Sequence, residues 1–151
     1  MGNATASWGV WLCVAAALGG CGPRLTDSPT EFVGDDYGRI GTLCGDDELA
    51  AGEQRDYWVK FLTLHHSDYS VDWRGGTLRV KGGIIVRRAA GNPTQQEDGM
   101  WARYETYWVQ AAPGAKPGDR VTVGPLSYEM SASGRGSRTL TGSRCVARVS
   151  G

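Results

Sequence analysis

The segment MWARYETYWVQA, residues Met100 to Ala111, is the longest candidate strand in the chain. Successive side chains of an extended segment point to opposite faces, so Trp101 and Tyr107 share one face while Tyr104 and Trp108 share the other. Aromatic residues are enriched in strands and dominate protein cores. The segment therefore predicts a long β-strand with one aromatic face in a core and the second face either covered by another sheet or exposed.

Shorter strand candidates begin at Gly38 and are separated by turn residues. Residues 57 to 65 are aromatic and branched, which is typical of a central strand covered on both faces. Residues 69 to 73 alternate between apolar and polar side chains, as a half-buried strand does. Gly75-Gly76 then predicts a tight hairpin turn into the next strand.

The remaining segments add further short elements. Residues 46 to 51 favour one helical turn, and Gly124-Pro125 predicts a kink or bulge between two strands. Residues 139 to 149 predict a last strand with Cys145, Ala147 and Val149 on one face. Seven or eight short strands without a long helix predict an all-β fold. We expect a single small antiparallel β-sandwich over residues 38–151, with a small β-barrel as the alternative.

An uncharged apolar run, Trp8 to Leu18, precedes this domain. Its eleven residues are too few to cross a bilayer as a helix, which takes roughly 20, but they suit the h-region of a signal peptide. The run closes on Leu18-Gly19-Gly20-Cys21, which resembles the lipobox of bacterial lipoproteins. That resemblance implies a cleaved signal peptide over residues 1–20, and a diacylglyceryl thioether and an acylated amine on Cys21. A general secretory signal without lipid, or a buried apolar segment of a cytosolic domain, are the alternatives.

Residues 21–37 predict a lipid-anchored flexible tether because they are rich in proline and small polar residues. By the same resemblance the membrane is a partner through the lipid on Cys21. In Gram-negative lipoproteins an Asp directly after the lipidated Cys favours retention in the inner membrane. Gly22 occupies that place here, so the resemblance implies the outer membrane if the host is Gram-negative.

The cysteines support an exported protein. Cys13 would leave with the signal and Cys21 would carry lipid, which leaves Cys44 and Cys145 as one pair. Exported chains meet an oxidising compartment, so we expect a Cys44–Cys145 disulfide that closes the domain. Two free thiols in a cytosolic protein are the alternative.

The formal net charge is zero, which argues against a nucleic-acid partner that is bound through its phosphates. The charge is nevertheless uneven, because residues 24–56 are acidic and the chain from Pro113 onwards is basic. We expect these two parts to lie side by side and neutralise each other, with a basic face for an anionic partner as the alternative.

The richest candidate for ligand binding is again the long strand. If Trp101 and Tyr107 formed an exposed platform beside Arg103 and Glu105, the rings would stack on a sugar. The alternative, which we favour, is that the rings have no binding role and pack across strands in the core. Arginines form a second group that is able to grip phosphate or carboxylate groups, although solvated faces explain them equally well: Arg87, Arg88, Arg135, Arg138, Arg144 and Arg148.

Signals for catalysis are weak. His65 and His66, followed by Ser67 and Asp68, are best interpreted as the polar end of a hairpin. No Gly-x-Ser-x-Gly elbow and no zinc-protease motif occur in the sequence. The acidic groups at 35–36 and 46–48 fit no calcium-loop motif. We therefore expect no catalytic residues, no metal and no cofactor.

These observations favour a non-enzymatic, membrane-anchored envelope lipoprotein that binds or assembles with another envelope component. The alternative is a lipoprotein that binds glycan or peptidoglycan through the aromatic platform. A third possibility, an envelope hydrolase, lacks a nucleophile with visible partners.

Overall fold

The computed structural model describes residues 22–50 and 57–151. The predicted signal peptide and the lipidated Cys21 lie outside the described residues. Within these two ranges the chain forms strands, turns and loops, and no helix in them is long and apolar enough to cross a bilayer. The strands are β1 (Phe32–Gly34), β2 (Gly38–Cys44), β3 (Glu48–Ala50), β4 (Tyr57–His65), β5 (Ser70–Val71), β6 (Thr77–Lys81), β7 (Gly83–Ala90), β8 (Thr94–Gln95), β9 (Trp101–Ala111), β10 (Arg120–Ala132), β11 (Gly136–Thr141) and β12 (Cys145–Ser150).

Two sheets pack face to face, which confirms the predicted β-sandwich over the barrel. Sheet A has the order β1-β2-β4-β9-β7, with β8 also on β9. Sheet B has the order β11-β10-β12-β3, with β5 and β6 also on β10. Neighbouring strands are antiparallel, except that β3 runs parallel to β12.

The core lies between the two sheets. Strand β4 pairs with β2 on one side and β9 on the other, as expected of a central strand. Its Val59 and Phe61 side chains are fully buried, and they belong to one core cluster with Val123 and Met130 of sheet B. Such burial stabilises by roughly 1.5–3 kcal/mol for each large apolar side chain.

The last strand of the chain shows the predicted alternation. On β12 the side chains of Cys145, Ala147 and Val149 are buried, while those of Val146 and Arg148 are exposed. The predicted strand over 139–149 is wrong in its extent, because a break at residues 142–144 divides it into β11 and β12. The two strands pair with successive segments of β10, on the side opposite β6.

Strand β10 is the longest strand and the axis of sheet B. The predicted bulge at Gly124-Pro125 is confirmed, because the pairing of β10 with β6 shifts register between Val123 and Leu126. The predicted hairpin around Gly75-Gly76 is wrong, since β5 and β6 do not pair with each other but both pair with β10. Gly76 instead lies so close to the Tyr128 ring that a Cβ there would collide with it.

The helical turn expected over residues 46–51 is also wrong where the chain is described. Glu48–Ala50 form β3, which pairs with β12. Acidic residues do not favour strands, but tertiary pairing overrides such a weak local preference. The pairing places Glu48 beside Arg148, so it also brings the acidic front and the basic back of the chain together.

A second contact joins these oppositely charged parts. Arg138 donates two hydrogen bonds to the Asp35 carboxylate, at 2.5 and 2.7 Å. These bonds hold the pKa of Asp35 well below its usual range, so this carboxylate stays charged in mildly acidic solution. Both contacts agree with the expectation that the acidic N-terminal part and the basic C-terminal part of the chain lie side by side and neutralise each other's charge.

In the structure, the folded domain begins earlier than the predicted boundary between the tether and the domain. Sheet A begins at β1, which pairs with β2, and not at Gly38. Before β1, the Lys60 ammonium donates hydrogen bonds to the backbone carbonyls of Leu25 and Asp27, at 3.1 and 2.7 Å. Pro29 is buried. Residues 25–34 therefore lie against the domain.

Gly82 marks the point where the chain leaves sheet B for sheet A. Its φ of +75° is one that other residues rarely adopt, and a Cβ there would collide with the carbonyl oxygen of Arg120. Gly82 thus lies at the crossing between β6 and β7.

The predicted disulfide is present. Cys44 and Cys145 are bonded, with Cα atoms 5.6 Å apart and a sequence separation of 101. The bond joins β2 of sheet A to β12 of sheet B. It therefore ties the two sheets together from near the two ends of the folded chain.

Replacing both cysteines, as Cys44→Ala with Cys145→Ala, should lower the free energy of unfolding by up to about 4–5 kcal/mol. The reason is that the unfolded chain, without the bond that closes a loop of ~100 residues, regains conformational entropy of about this free-energy value. Guanidinium unfolding of the oxidised protein and of the double variant measures the difference. A reductant should destabilise the wild type and leave the double variant unchanged. Equal midpoints for wild type with and without reductant would contradict the prediction.

Candidate functional site

The four residues singled out on the long strand share one face of β9, and that face points inward. Glu105 is 2% exposed and Tyr107 is 6% exposed, while Trp101 and Arg103 are half-buried. The exposed Trp101–Tyr107 platform is therefore not formed. The interpretation that the rings pack in the core agrees with the structure for Tyr107, whose ring lies 6.0 Å from that of Phe61 in an edge-on arrangement.

The opposite face of β9 carries the exposed rings. Tyr104 is 40% exposed and Trp108 is half-buried. The Arg87 guanidinium lies 3.7 Å from the centre of the Trp108 ring, and the Lys60 ammonium lies 4.7 Å from that of Tyr104. Both distances suit cation–π attraction. Tyr104 on this outer face is the most exposed aromatic residue of β9.

A buried carboxylate organises the inner face. The Glu105 Oε2 atom accepts hydrogen bonds from Arg88 Nε at 3.3 Å, from Arg88 Nη2 at 3.0 Å and from the Tyr107 hydroxyl at 2.6 Å. Glu105 Oε1 accepts one from Arg103 Nη1 at 3.2 Å. A buried charge is costly unless it is paired and hydrogen-bonded, and these contacts meet that requirement.

The protonation states in this cluster follow from its geometry. Burial, followed by the hydrogen bond to Glu105, raises the pKa of Tyr107 well above its usual range. The hydrogen bond to Glu105 raises the pKa of the Arg88 guanidinium as well. Near neutral pH, Tyr107 is therefore a neutral hydrogen-bond donor and Arg88 is a cation.

Three members of this cluster, Arg88, Arg103 and Tyr107, line a cleft of about 730 Å³ between the two sheets. The size lies within the range of small-molecule sites, roughly 300–1,000 Å³. Sheet A supplies β7 and β9, sheet B supplies β6 and β10, and the β5–β6 and β7–β8 connections supply the rest. The residues that define its walls include Trp73, Arg74, Leu78, Ile85, Arg88, Arg103, Tyr107 and Tyr128.

One wall of the cleft is aromatic. The Trp73 and Tyr128 rings meet edge to face, with their centres 5.0 Å apart. The Arg103 guanidinium lies 4.6 Å from the centre of the Trp73 ring and also donates from Nε to the Gly91 carbonyl, at 2.9 Å. Arg103 is therefore held in place from three sides, by Trp73, Gly91 and Glu105.

The sequence pattern did not identify Trp73, Arg74 or Tyr128 as site residues. Arg88 appeared only as part of a basic group. The pairing of β7 with β9 shifts register between Ile85 and Arg87, and this bulge places Arg88 opposite Tyr107 on the inner face. Without the bulge, a strict alternation from Ile85 would have put Arg87 there.

The two histidines lie at the end of β4, as the hairpin-end interpretation expects. His65 is buried and its Nδ1 is 3.0 Å from the His66 carbonyl oxygen. The backbone N–H of Asp68 donates to His66 Nδ1 at 3.2 Å, and that of Tyr69 donates to the His66 carbonyl at 3.0 Å. The segment is thus a turn held by its own hydrogen bonds. Across 22–50 and 57–151, no three His, Cys, Asp or Glu side chains come together as a metal site.

Tyr107→Phe should lower the free energy of unfolding by about 1–3 kcal/mol, because it removes a donor from a buried carboxylate. Tyr57 offers a matched control. It is equally buried, but its hydroxyl has no hydrogen-bond partner among the described residues, and burial raises its pKa to about 12. Tyr57→Phe should be neutral or stabilising.

Denaturant unfolding of both variants at pH 7 measures the difference between the two tyrosines. Equal losses in Tyr107→Phe and Tyr57→Phe would mean that the Glu105 contact contributes nothing to the stability.

Comparison with known proteins gives no match: no protein-family model, no curated protein and no solved structure matches this chain. The function must therefore be inferred from the residues of the chain itself.

Proposed function

We propose that this protein is a lipid-anchored envelope lipoprotein that acts as a non-enzymatic binding or assembly module. The observation that carries the proposal is the apolar run that ends in Leu18-Gly19-Gly20-Cys21. The Cys44–Cys145 disulfide supports it, because such bonds persist in oxidising compartments outside the cytosol. The proposed site is the outer membrane, on its periplasmic face, if the host is Gram-negative.

The side-chain geometry supports binding over catalysis. A nucleophile is activated by a base within hydrogen-bond reach. Among the described residues, both cysteines are bonded to each other, and the ring hydrogen bonds of His65 and His66 stay within their own turn. Both oxygens of the buried Glu105 carboxylate already accept hydrogen bonds from guanidinium groups, which leaves them poorly placed to take a proton from a substrate. Turnover of ester or glycoside substrates that His66→Ala abolishes would overturn this part of the proposal.

The edge of sheet A supports an assembly role. Among the described strands, β7 pairs only with β9, and its Ile84, Ile85 and Val86 side chains are each 42–46% exposed. Exposed apolar residues on an edge strand favour pairing with another chain, and natural proteins usually protect such edges. We therefore place contact with another envelope protein at this edge.

Binding of glycan or peptidoglycan is the second candidate, and the outer face of β9 favours it. The rings of Tyr104 and Trp108 lie there, with the cationic Lys60 over the first and Arg87 over the second. Flat apolar faces with polar edges suit sugar rings. The aromatic platform of this alternative thus consists of Tyr104 and Trp108.

The anchor is tested by Cys21→Ser in the native host. The wild type should partition into membranes, and mass spectrometry should find a mature chain that starts at a diacylated Cys21. The variant should keep its unprocessed N-terminus and carry no lipid. An unmodified sulfur at position 21 of the wild type would contradict the anchor.

The assembly role is tested by photo-crosslinking in the native host from single positions of the anchored protein. A crosslinker at position 84 should capture an envelope protein, because Ile84 lies on the exposed edge β7. Position 33 is the matched control, since Val33 is 48% exposed on β1, the opposite edge of sheet A. Equal capture at both positions, or none at 84, would count against assembly at this edge. Retention on isolated peptidoglycan that Trp108→Ala abolishes would favour the glycan alternative.

A further inference from the structure

We infer that the cleft between the two sheets binds an oxyanion, a carboxylate or a phosphate, attached to an apolar or ring-shaped body. The inference deepens the proposed binding function, on which it rests, by naming the ligand class of one site. It does not depend on the lipid anchor or on the edge of β7.

The charge of the cleft favours an anion. Arg74, Arg88 and Arg103 line it, and Glu105 is the acid that contacts Arg88 and Arg103. Three guanidinium groups and one carboxylate leave a net charge of two positive units, from three minus one. A concave surface of one charge sign, with low-dielectric walls, concentrates ligands of the opposite sign.

The two inner arginines keep donors available for that anion. A guanidinium has five N–H donors. Arg88 uses Nε and Nη2 on Glu105, while its side chain remains 48% exposed. Arg103 uses Nε on Gly91 and Nη1 on Glu105. Within the described ranges, the Nη1 atom of Arg88 and the Nη2 atom of Arg103 make no hydrogen bond to Glu105, although the Arg88 guanidinium also lies near the Tyr107 ring.

Glu105 holds these donors in position before a ligand arrives. It holds one guanidinium on each carboxylate oxygen, and it is itself 98% buried, being 2% exposed. Groups that are already fixed lose little side-chain freedom when a ligand arrives. Planar guanidinium groups match the oxygens of carboxylates and phosphates, which explains the preference for an oxyanion over a halide.

The remaining walls define the body of the ligand. The rings of Trp73, in the β5–β6 connection, and of Tyr128, on β10, line the cleft, and Leu78 and Ile85 add aliphatic surface. Small-molecule sites typically combine such apolar lining with a few polar groups that set orientation. The ligand class is thus amphipathic, with the anion at the Arg88–Arg103 end and a ring against Trp73.

Arg74 adds a cation at the rim. Its backbone N–H is held by the Asp72 carboxylate at 3.2 Å, and that carboxylate also accepts from the Gly75 backbone at 3.0 Å. The Asp72 carboxylate therefore stabilises the turn to which Asp72 itself belongs. The Arg74 side chain is exposed and makes no hydrogen bond or ion pair with the described residues, so its replacement should not disturb the fold.

The test titrates the full chain in detergent with three small probes: benzoate, phenyl phosphate and the uncharged benzamide. Side-chain NMR signals of the Trp73 indole N–H and the Arg88 Nε–H report binding. At least one of the two anions should shift both signals saturably, and benzamide at the same concentration should not. Benzoate binding alone assigns a carboxylate ligand, and phenyl phosphate binding alone assigns a phosphate. Equal shifts with benzamide, or no saturable shift with either anion, would overturn the inference.

Variants locate the site. Arg88→Gln should weaken binding about tenfold, the effect of losing one charge-assisted hydrogen bond. Arg87→Gln is the matched control, because Arg87 is the next residue on β7 but lies on the outer face over Trp108. Arg74→Gln should weaken binding less, about threefold, through charge alone and without touching Glu105. Equal affinities for Arg87→Gln and both cleft variants would place the anion elsewhere and overturn the assignment. Failure of this test leaves the crosslinking result at β7 untouched, so the two proposals stand or fall separately.

Discussion

The covalent bond between Cys44 and Cys145 is the constraint on which the rest of the structure depends. It joins β2 of sheet A to β12 of sheet B, so it fixes the two layers against each other. A domain of this size buries only a modest core, and small exported domains commonly rely on such a bond. The same bond ties the beginning of the folded region to its end. The N-terminal strands and the C-terminal strands therefore act as one unit.

Within that frame, the cleft depends on one charged residue placed where apolar side chains dominate. Glu105 lies on β9 between Arg103 and Tyr107, and the guanidinium of Arg88 reaches it from β7. Removing any one partner would leave part of a buried charge uncompensated. An apolar residue at this place would pack well but would leave the two guanidinium groups without an anchor. The buried carboxylate is thus better explained by the positioning of Arg88 and Arg103 than by stability.

The cleft and the proposed assembly edge share one strand. Strand β7 carries Arg88 on its inner face, Arg87 on its outer face, and exposed apolar residues before them. A partner that pairs with this edge would lie next to the mouth of the cleft. The geometry therefore allows a ligand and a protein partner to contact the same strand while using different faces of it.

The sequence by itself determined the fold class, the disulfide and the faces of the strands. Turn residues separate short segments, and the alternation of Cys145, Ala147 and Val149 with exposed neighbours is visible in the letters because the side-chain period of a strand is two. Only the tertiary structure decided which face of β9 meets sheet B, since alternation separates two faces without saying which one another layer covers. The bulge between Ile85 and Arg87 was equally hidden, because pairing with β9 sets the register there. Trp73 and Tyr128 come from distant parts of the chain, and they form one wall only because β5, β6 and β10 pack as one sheet.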